Sequence, residues 1–193
     1  ALLEQRCDIV YATPTQILQL VEFQALQHLK LILVGGGRLS PEQWAVLAKA
    51  APLADIRVFY GASETSFVTL SAAKTPLNSV GKAYPDVDID IRNINTETGI
   101  GDIWVRSPYV FESYSLGTSK DTLWDGEWLT VGEMGRIDPD GNLFLSGRKS
   151  RMFTVADQNV FPEDIERALM LHPNISDAVV MPVSDTKRGF HPV

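Results

Sequence analysis

The sequence predicts an α/β protein: a partial parallel sheet with helices, followed by an antiparallel β subdomain and the start of a small α+β unit. Three observations carry this expectation. Short apolar runs alternate with amphipathic helical segments through about Leu70. From about Gly81 the hydrophobic pattern changes to a period of two. Beyond Ser150 a fresh helix start and a further apolar run appear. The expected boundaries are 1–80, 81–148 and 149–193.

Taken in order, Asp8–Ala12 reads as a strand, and Thr15–Phe23 as a helix with Ile17, Leu18, Leu20 and Val21 on its apolar side. Leu29–Val34 is a continuous apolar run broken by one Lys, as expected of a buried strand, and ends in Gly35-Gly36-Gly37. Ser40-Pro41-Glu42-Gln43 is a helix start, with an N-cap Ser, Pro at the first helical position and Gln three residues after the cap. Ile56–Tyr60 is the next strand. This order predicts a parallel sheet with ligands at the carboxyl ends of its strands, where Gly35–Gly37 and Gly61–Glu64 would lie.

In the middle third, Val87–Arg92 and Ile103–Arg106 alternate strictly, and Asp138–Asn142 is a turn between two short strands. Pro162-Glu163-Asp164 then opens a helix with acids in its first turn, and Ala178–Val183 is a buried-strand candidate.

Composition excludes several classes. Of 193 residues, 45% are hydrophobic and 21% charged, a globular balance. The formal net charge of −7 argues against non-specific binding to nucleic acid or anionic membrane. Cys7 is the only cysteine, and His28, His172 and His191 lack ligand spacing, so neither a disulfide framework nor a thiolate metal cluster is expected. No apolar run approaches the roughly 20 residues of a membrane span. A cytoplasmic protein, or a piece of one, is expected.

Two segments carry chemistry. Tyr60-Gly61-Ala62-Ser63-Glu64 is expected in a loop after a strand. A ring there can stack on a flat base, Gly allows close backbone approach, a hydroxyl can bind phosphate, and a carboxylate can hold Mg²⁺. The alternative is a strand-ending turn whose Ser and Glu cap the next segment. The second segment runs from Trp128 to Arg148 and contains Gly132-Glu133 and Gly147-Arg148. Taken alone, Gly147-Arg148 reads as a solvated basic turn, since Lys149 and Arg151 are neighbours. A family resemblance that includes the ungapped distance from Gly147 to Pro162-Glu163-Asp164-Ile165-Glu166 argues otherwise.

With these segments in this order, the chain resembles the adenylate-forming enzymes: acyl-CoA synthetases, peptide-synthetase adenylation domains and luciferases. The resemblance implies roles. Tyr60, with Gly61 and Ala62, would hold adenine, Ser63 would contact the α-phosphate, and Glu64 would ligate Mg²⁺. Ser63 and Glu64 are thus the expected catalytic pair. Gly35, Gly36 and Gly37 would line the adenine and acyl pockets with their backbone. Glu133 would take the ribose hydroxyls, and Arg148 the ribose or phosphate ahead of a mobile C-terminal lid that begins at 149.

The chain departs from the family pattern at several positions. Arg38 stands where Pro is frequent, Val131 for Thr, Glu133 for Asp, Ser150 for the Asp or Lys of the hinge, Thr154 for Lys, and Asp157 for Gly. The upstream phosphate loop and the lid lysine are not found in residues 1–193.

The expected function is therefore a fragment of an ATP-dependent carboxylic acid ligase that forms an acyl-adenylate. The acyl group would pass to the thiol of coenzyme A or a carrier protein, with ATP/AMP and Mg²⁺ as cofactors. No turnover is expected from these residues alone. The alternatives are a degenerate, non-catalytic nucleotide- or acyl-binding homologue and a purely structural module.

Overall fold

Two proline-started helices are laid down by the same four-residue signal. A computed structural model describes residues 7–37, 39–76, 78–156, 158–172, 174–185 and 189–193. Arg38 and Asp157 lie outside the described residues. In α1 (Pro14–Glu22) the N-cap Thr13 and Gln16 form a reciprocal capping box. In α2 (Pro41–Ala50), Ser40 and Gln43 do the same. Each pair satisfies two amide donors that a helix start leaves open. The α1 helix begins one residue earlier than its apolar periodicity suggests, because Thr13-Pro14-Thr15-Gln16 repeats the Ser-Pro-x-Gln signature.

The chain divides into two compact units: Ala1–Asp88 with Arg106–Ser113 and Ile137–Phe144, and Ile89–Val105 with Tyr114–Arg136 and Leu145–Val193. In the first, β1 (Ile9–Ala12), β2 (Leu31–Val34) and β3 (Asp55–Ala62) are parallel, in register from Ile9↔Leu31 to Val34↔Val58. Alternate residues Ala12, Ile32, Val34, Ile56 and Val58 join Ile17, Leu26, Leu29 and Leu47 in one core. Truncating a fully buried residue such as Leu47 to Ala would cost roughly 2–5 kcal/mol. The other face is more open than the apolar runs imply, with Ile9 58% and Tyr11 61% exposed.

The sheet then changes sense. Antiparallel to β3 runs β4 (Ser66–Ser71), followed by β5 (Ser79–Ala83), which pairs with Asn142–Phe144 at the start of β11 (Asn142–Arg148). The Asp138 carboxylate accepts from the Asn142 amide at 2.8 Å and closes the expected turn before β11.

In the second unit, β6 (Asp88–Arg92) pairs with β7 (Gly101–Arg106), which is antiparallel to β10 (Glu133–Ile137) and β9 (Trp128–Thr130). A short β8 (Leu123–Asp125) pairs with β9. The Arg92 guanidinium lies 4.5 Å from the Trp104 ring and 5.2 Å from that of Trp128, so both indoles serve packing.

A separate small sheet holds β12 (Phe153–Val155), β13 (Gln158–Val160), β14 (Pro182–Asp185) and β15 (Gly189–Pro192). The helix α3 (Pro162–Met170) carries Glu163 and Asp164 in its first turn. The run Ala178–Val183 is not the buried strand expected: backbone pairing reaches back only to Met181, which exchanges bonds with Val193, and within the run Val180 is buried while Val179 and Met181 are 68% and 60% exposed. Its apolar composition resembles a core strand, but β14 pairs with β15 at an open edge.

Candidate functional site

The predicted residues fall into two groups, one in each unit. In the first, β3 does not stop at Tyr60 as expected but continues through Gly61 and Ala62 into a hairpin with β4. The register shifts between Tyr60 and Gly61, from Tyr60↔Thr69 to Gly61↔Phe67, leaving Val68 without a partner on β3. This is a β-bulge. A Cβ on Gly61 would strike the Ser66 carbonyl oxygen, so the glycine serves this backbone crossing.

Ser63 and Glu64 occupy the tight turn at the hairpin tip. Thr65 fastens it: its hydroxyl accepts from the Ala62 amide at 3.0 Å, and its own amide donates to the Ala62 carbonyl at 3.2 Å. Thr65 is 3% exposed, whereas Ser63 is exposed and Glu64 half-buried. The Glu64 carbonyl accepts from the Phe111 amide at 2.8 Å, which holds the turn from outside.

The three glycines follow β2. Gly35 is buried, and its amide continues the β1–β2 ladder by donating to Ala12 at 3.1 Å. A Cβ there would enter the ring of Phe59, so this glycine makes room for an aromatic side chain of the same protein. Gly36, at φ 74°, needs glycine for conformation. Gly37 sits close to Pro14, whose Cγ would lie 3.1 Å from an added Cβ.

From Phe59 a row of rings crosses the open face of the sheet. Tyr11 stacks on Phe59 at 5.5 Å, Phe59 meets Phe67 at 4.6 Å, Phe67 stacks on Tyr84 at 5.5 Å, and Tyr84 meets Tyr109 edge-on at 6.2 Å. No sequence motif announced this row, since its members come from five separate segments.

In the second unit, Glu133 opens β10 and Arg148 closes β11. Arg148 Nε stands 3.8 Å from Glu133 Oε1; the Glu133 side chain is 17% exposed and that of Arg148 59%. Gly132, at φ 77°, is fixed on every side: its amide donates to Thr130 Oγ1 at 3.2 Å, its carbonyl accepts from the Lys149 amide at 2.8 Å, and an added Cβ would meet Asp121 Cβ at 2.8 Å.

Lys149 and Asp102 were missed by motif reading. Lys149 Nζ donates to both Asp102 oxygens at 2.9 and 3.0 Å, and Asn93 Nδ2 adds a third bond at 2.8 Å. An acid one residue ahead of the alternating run Ile103–Arg106 was the available signal.

Gly147 faces α3: a Cβ would approach Glu163 Oε2 to 2.5 Å. Arg151 bridges Glu163 and Glu166 at 3.0 and 2.6 Å, and Glu166 also accepts from the Val180 amide at 2.9 Å. The hydrogen bond from Arg151 comes first in holding the Glu166 carboxyl below the usual carboxylate range, and the same bond raises the Arg151 guanidinium. Ser150 lies in the turn between these anchors, and Thr154 is exposed on β12.

Among the described residues no group of three or more His, Cys, Asp or Glu could hold a metal ion. No helix among the described residues is long and apolar enough to cross a membrane.

The family model described as AMP-binding enzyme matches residues 1–115, more than half of the sequence. The chain belongs to the AMP-binding enzyme family. Among the relatives of this chain is an uncharacterised acyl-CoA ligase of Bacillus subtilis, YhfT, 34% identical over 97% of the chain and 40% of the relative. A 2-succinylbenzoate–CoA ligase of Arabidopsis thaliana is 31% identical over 82% of the chain. The amide bond synthetase McbA of Marinactinospora thermotolerans superimposes with a TM-score of 0.82 at 26% identity, over 100% of this chain and 42% of that one. The chain thus spans about 40% of the length of YhfT.

Proposed function

We propose that the chain forms the nucleotide-holding part of an ATP-dependent carboxylic acid ligase, which makes an acyl-adenylate and passes the acyl group to a thiol. One observation carries the reading: an exposed hydroxyl and a carboxylate, Ser63 and Glu64, are held at a hairpin tip that Thr65 and Phe111 fix in place. A rigid turn can present both groups to a phosphate chain without reorganisation. The likeness to YhfT, called an acyl-CoA ligase, supports it.

In the proposed reaction, a carboxylate oxygen attacks the α-phosphorus of ATP and the bond to the bridging oxygen breaks, releasing pyrophosphate. A thiolate sulfur then attacks the acyl carbonyl, and AMP leaves. Ser63 would hydrogen-bond the α-phosphate, Tyr60 would stack on adenine beside Gly61 and Ala62, and the Gly35–Gly37 backbone would border the base. Mg²⁺, held through Glu64, would neutralise phosphate charge. Glu133 would accept from the ribose hydroxyls, with Arg148 beside it. Coenzyme A is the proposed acceptor, a cytoplasmic setting suits the single cysteine, and residues 149–193 would begin the lid.

The row of rings favours an apolar or aromatic acid, because Phe67, three residues beyond Glu64, continues it toward the turn. The test is acid-dependent ATP–pyrophosphate exchange across a panel of carboxylic acids, using the protein that carries this sequence. Exchange with one acid supports the ligase. Nucleotide binding without exchange across the panel supports a second reading, a non-catalytic nucleotide-binding homologue. The departures from the family pattern at Val131, Glu133, Ser150, Thr154 and Asp157 favour that second reading.

A further inference from the structure

Lys149 grips its surroundings at both ends. Its amide donates to the Gly132 carbonyl at 2.8 Å, and its ammonium reaches both oxygens of Asp102 at 2.9 and 3.0 Å. Asp102 on β7 has a side chain only 11% exposed, and Asn93 donates to it from the far end of the β6–β7 connection at 2.8 Å. A carboxylate so far from water needs its charge answered, so the Lys149 side chain is drawn inward despite being 55% exposed overall.

The residues that flank these two contacts are the ones that matter. Glu133 follows Gly132, and Arg148 precedes Lys149. Pairing of β10 with β11 brings the two together, and the staple sits one residue beyond each strand end, beside their 3.8 Å contact. Gly132 adds no slack, since its amide is held by Thr130 and Asp121 leaves no room beside it. Without the ammonium on Asp102, the main-chain bond to Gly132 would be the staple's remaining end.

We propose that Lys149 is a positioning residue for ribose recognition, with Asp102 as its anchor. It fixes the Glu133 carboxylate against the Arg148 guanidinium so that the carboxylate meets both hydroxyls of a nucleoside monophosphate. The inference rests on the nucleotide reading given above. A carboxylate held in place discriminates between two hydroxyls and one, whereas a carboxylate free to swing adapts to either.

The test is calorimetric titration of AMP and 2′-deoxy-AMP into the protein that carries this sequence. The unsubstituted protein is expected to prefer AMP by about tenfold, the value of one hydrogen bond to a charged group. Lys149→Met should reduce that preference to about twofold, mainly by weakening AMP. Lys149→Arg, which keeps a cation within reach of Asp102, should restore most of it.

Asp102→Asn removes the anchoring charge at nearly constant shape and serves should Lys149→Met fail to fold; it too must lower the ratio. Equal weakening of both nucleotides in these variants would make the staple merely structural and overturn the proposal, as would an unchanged ratio. If the unsubstituted protein binds neither nucleotide, the nucleotide reading fails and the inference falls with it. Binding with a preference that survives both substitutions removes the inference alone.

Discussion

The Thr65 hydroxyl accepts a hydrogen bond from the Ala62 amide at 3.0 Å, across the two residues proposed to meet phosphate. The Thr65 side chain is 3% exposed, so water cannot readily replace that bond. Thr65→Val keeps the shape and removes the acceptor. It should cost about 1–2 kcal/mol in urea denaturation and weaken MgATP binding. Thr65→Ser should preserve both, and a Val variant that binds MgATP normally would show the turn does not need this bond.

Gly61 cannot carry a side chain while the β-bulge stays in place, since a Cβ would overlap the Ser66 carbonyl. Gly61→Ala should destabilise by more than about 2 kcal/mol in thermal unfolding, as forced backbone shifts do. Gly117→Ala makes the control: with φ 75° but open space around it, the cost should be about 1 kcal/mol.

The Glu166 carboxyl titrates below its ordinary range because Arg151 and the Val180 amide hold the charged form. Its contribution to stability is complete above the unfolded carboxylate value of about 4.3 and is lost as pH falls through the lowered folded value. The protection factor of the Val180 amide, the intrinsic exchange rate at each pH divided by the observed one, should therefore be high at neutral pH and fall in acid. Glu166→Gln, with no carboxyl to titrate, should remove that acid step; the same pH profile in the variant would assign it to another group.

Phe59 and Phe67 touch at 4.6 Å in the centre of the ring row. If an aromatic acid lies along it, Phe67→Ala should weaken binding of benzoate in fluorine-NMR competition by about five- to tenfold, the scale of one lost aromatic contact. Phe67→Leu should fall between. Equal binding by all three proteins would place the acid elsewhere.

What the sequence made legible was local. The Ser40–Gln43 capping box, the Asp138–Asn142 turn and the acidic start of α3 depend on neighbours within four residues, and all are present. Glu133 and Arg148 were named individually from their motifs. The hairpin of β10 and β11 brings them together, but the Lys149–Asp102 pair beside them spans 47 residues, a partnership no local pattern encodes. The ring row escaped for the same reason. Gly35 shows the limit most plainly: its small size was expected to admit a ligand's approach, but the group that fills the space is Phe59, 24 residues on.

Lys149 and Arg151 are tied in opposite directions, one to Asp102 on β7 and the other to Glu163 and Glu166 on α3, with Ser150 alone between them. A chain clamped on both sides of one residue can swivel there far more readily than elsewhere, because the soft torsions left are the φ and ψ of that residue and its adjoining bonds. A rotation at Ser150 would then carry Arg151 and α3 together, because two ion pairs tie them. The bonds from the Arg151 and Met152 amides to the Arg148 carbonyl, at 3.0 and 3.2 Å, are the catch that such a rotation must release.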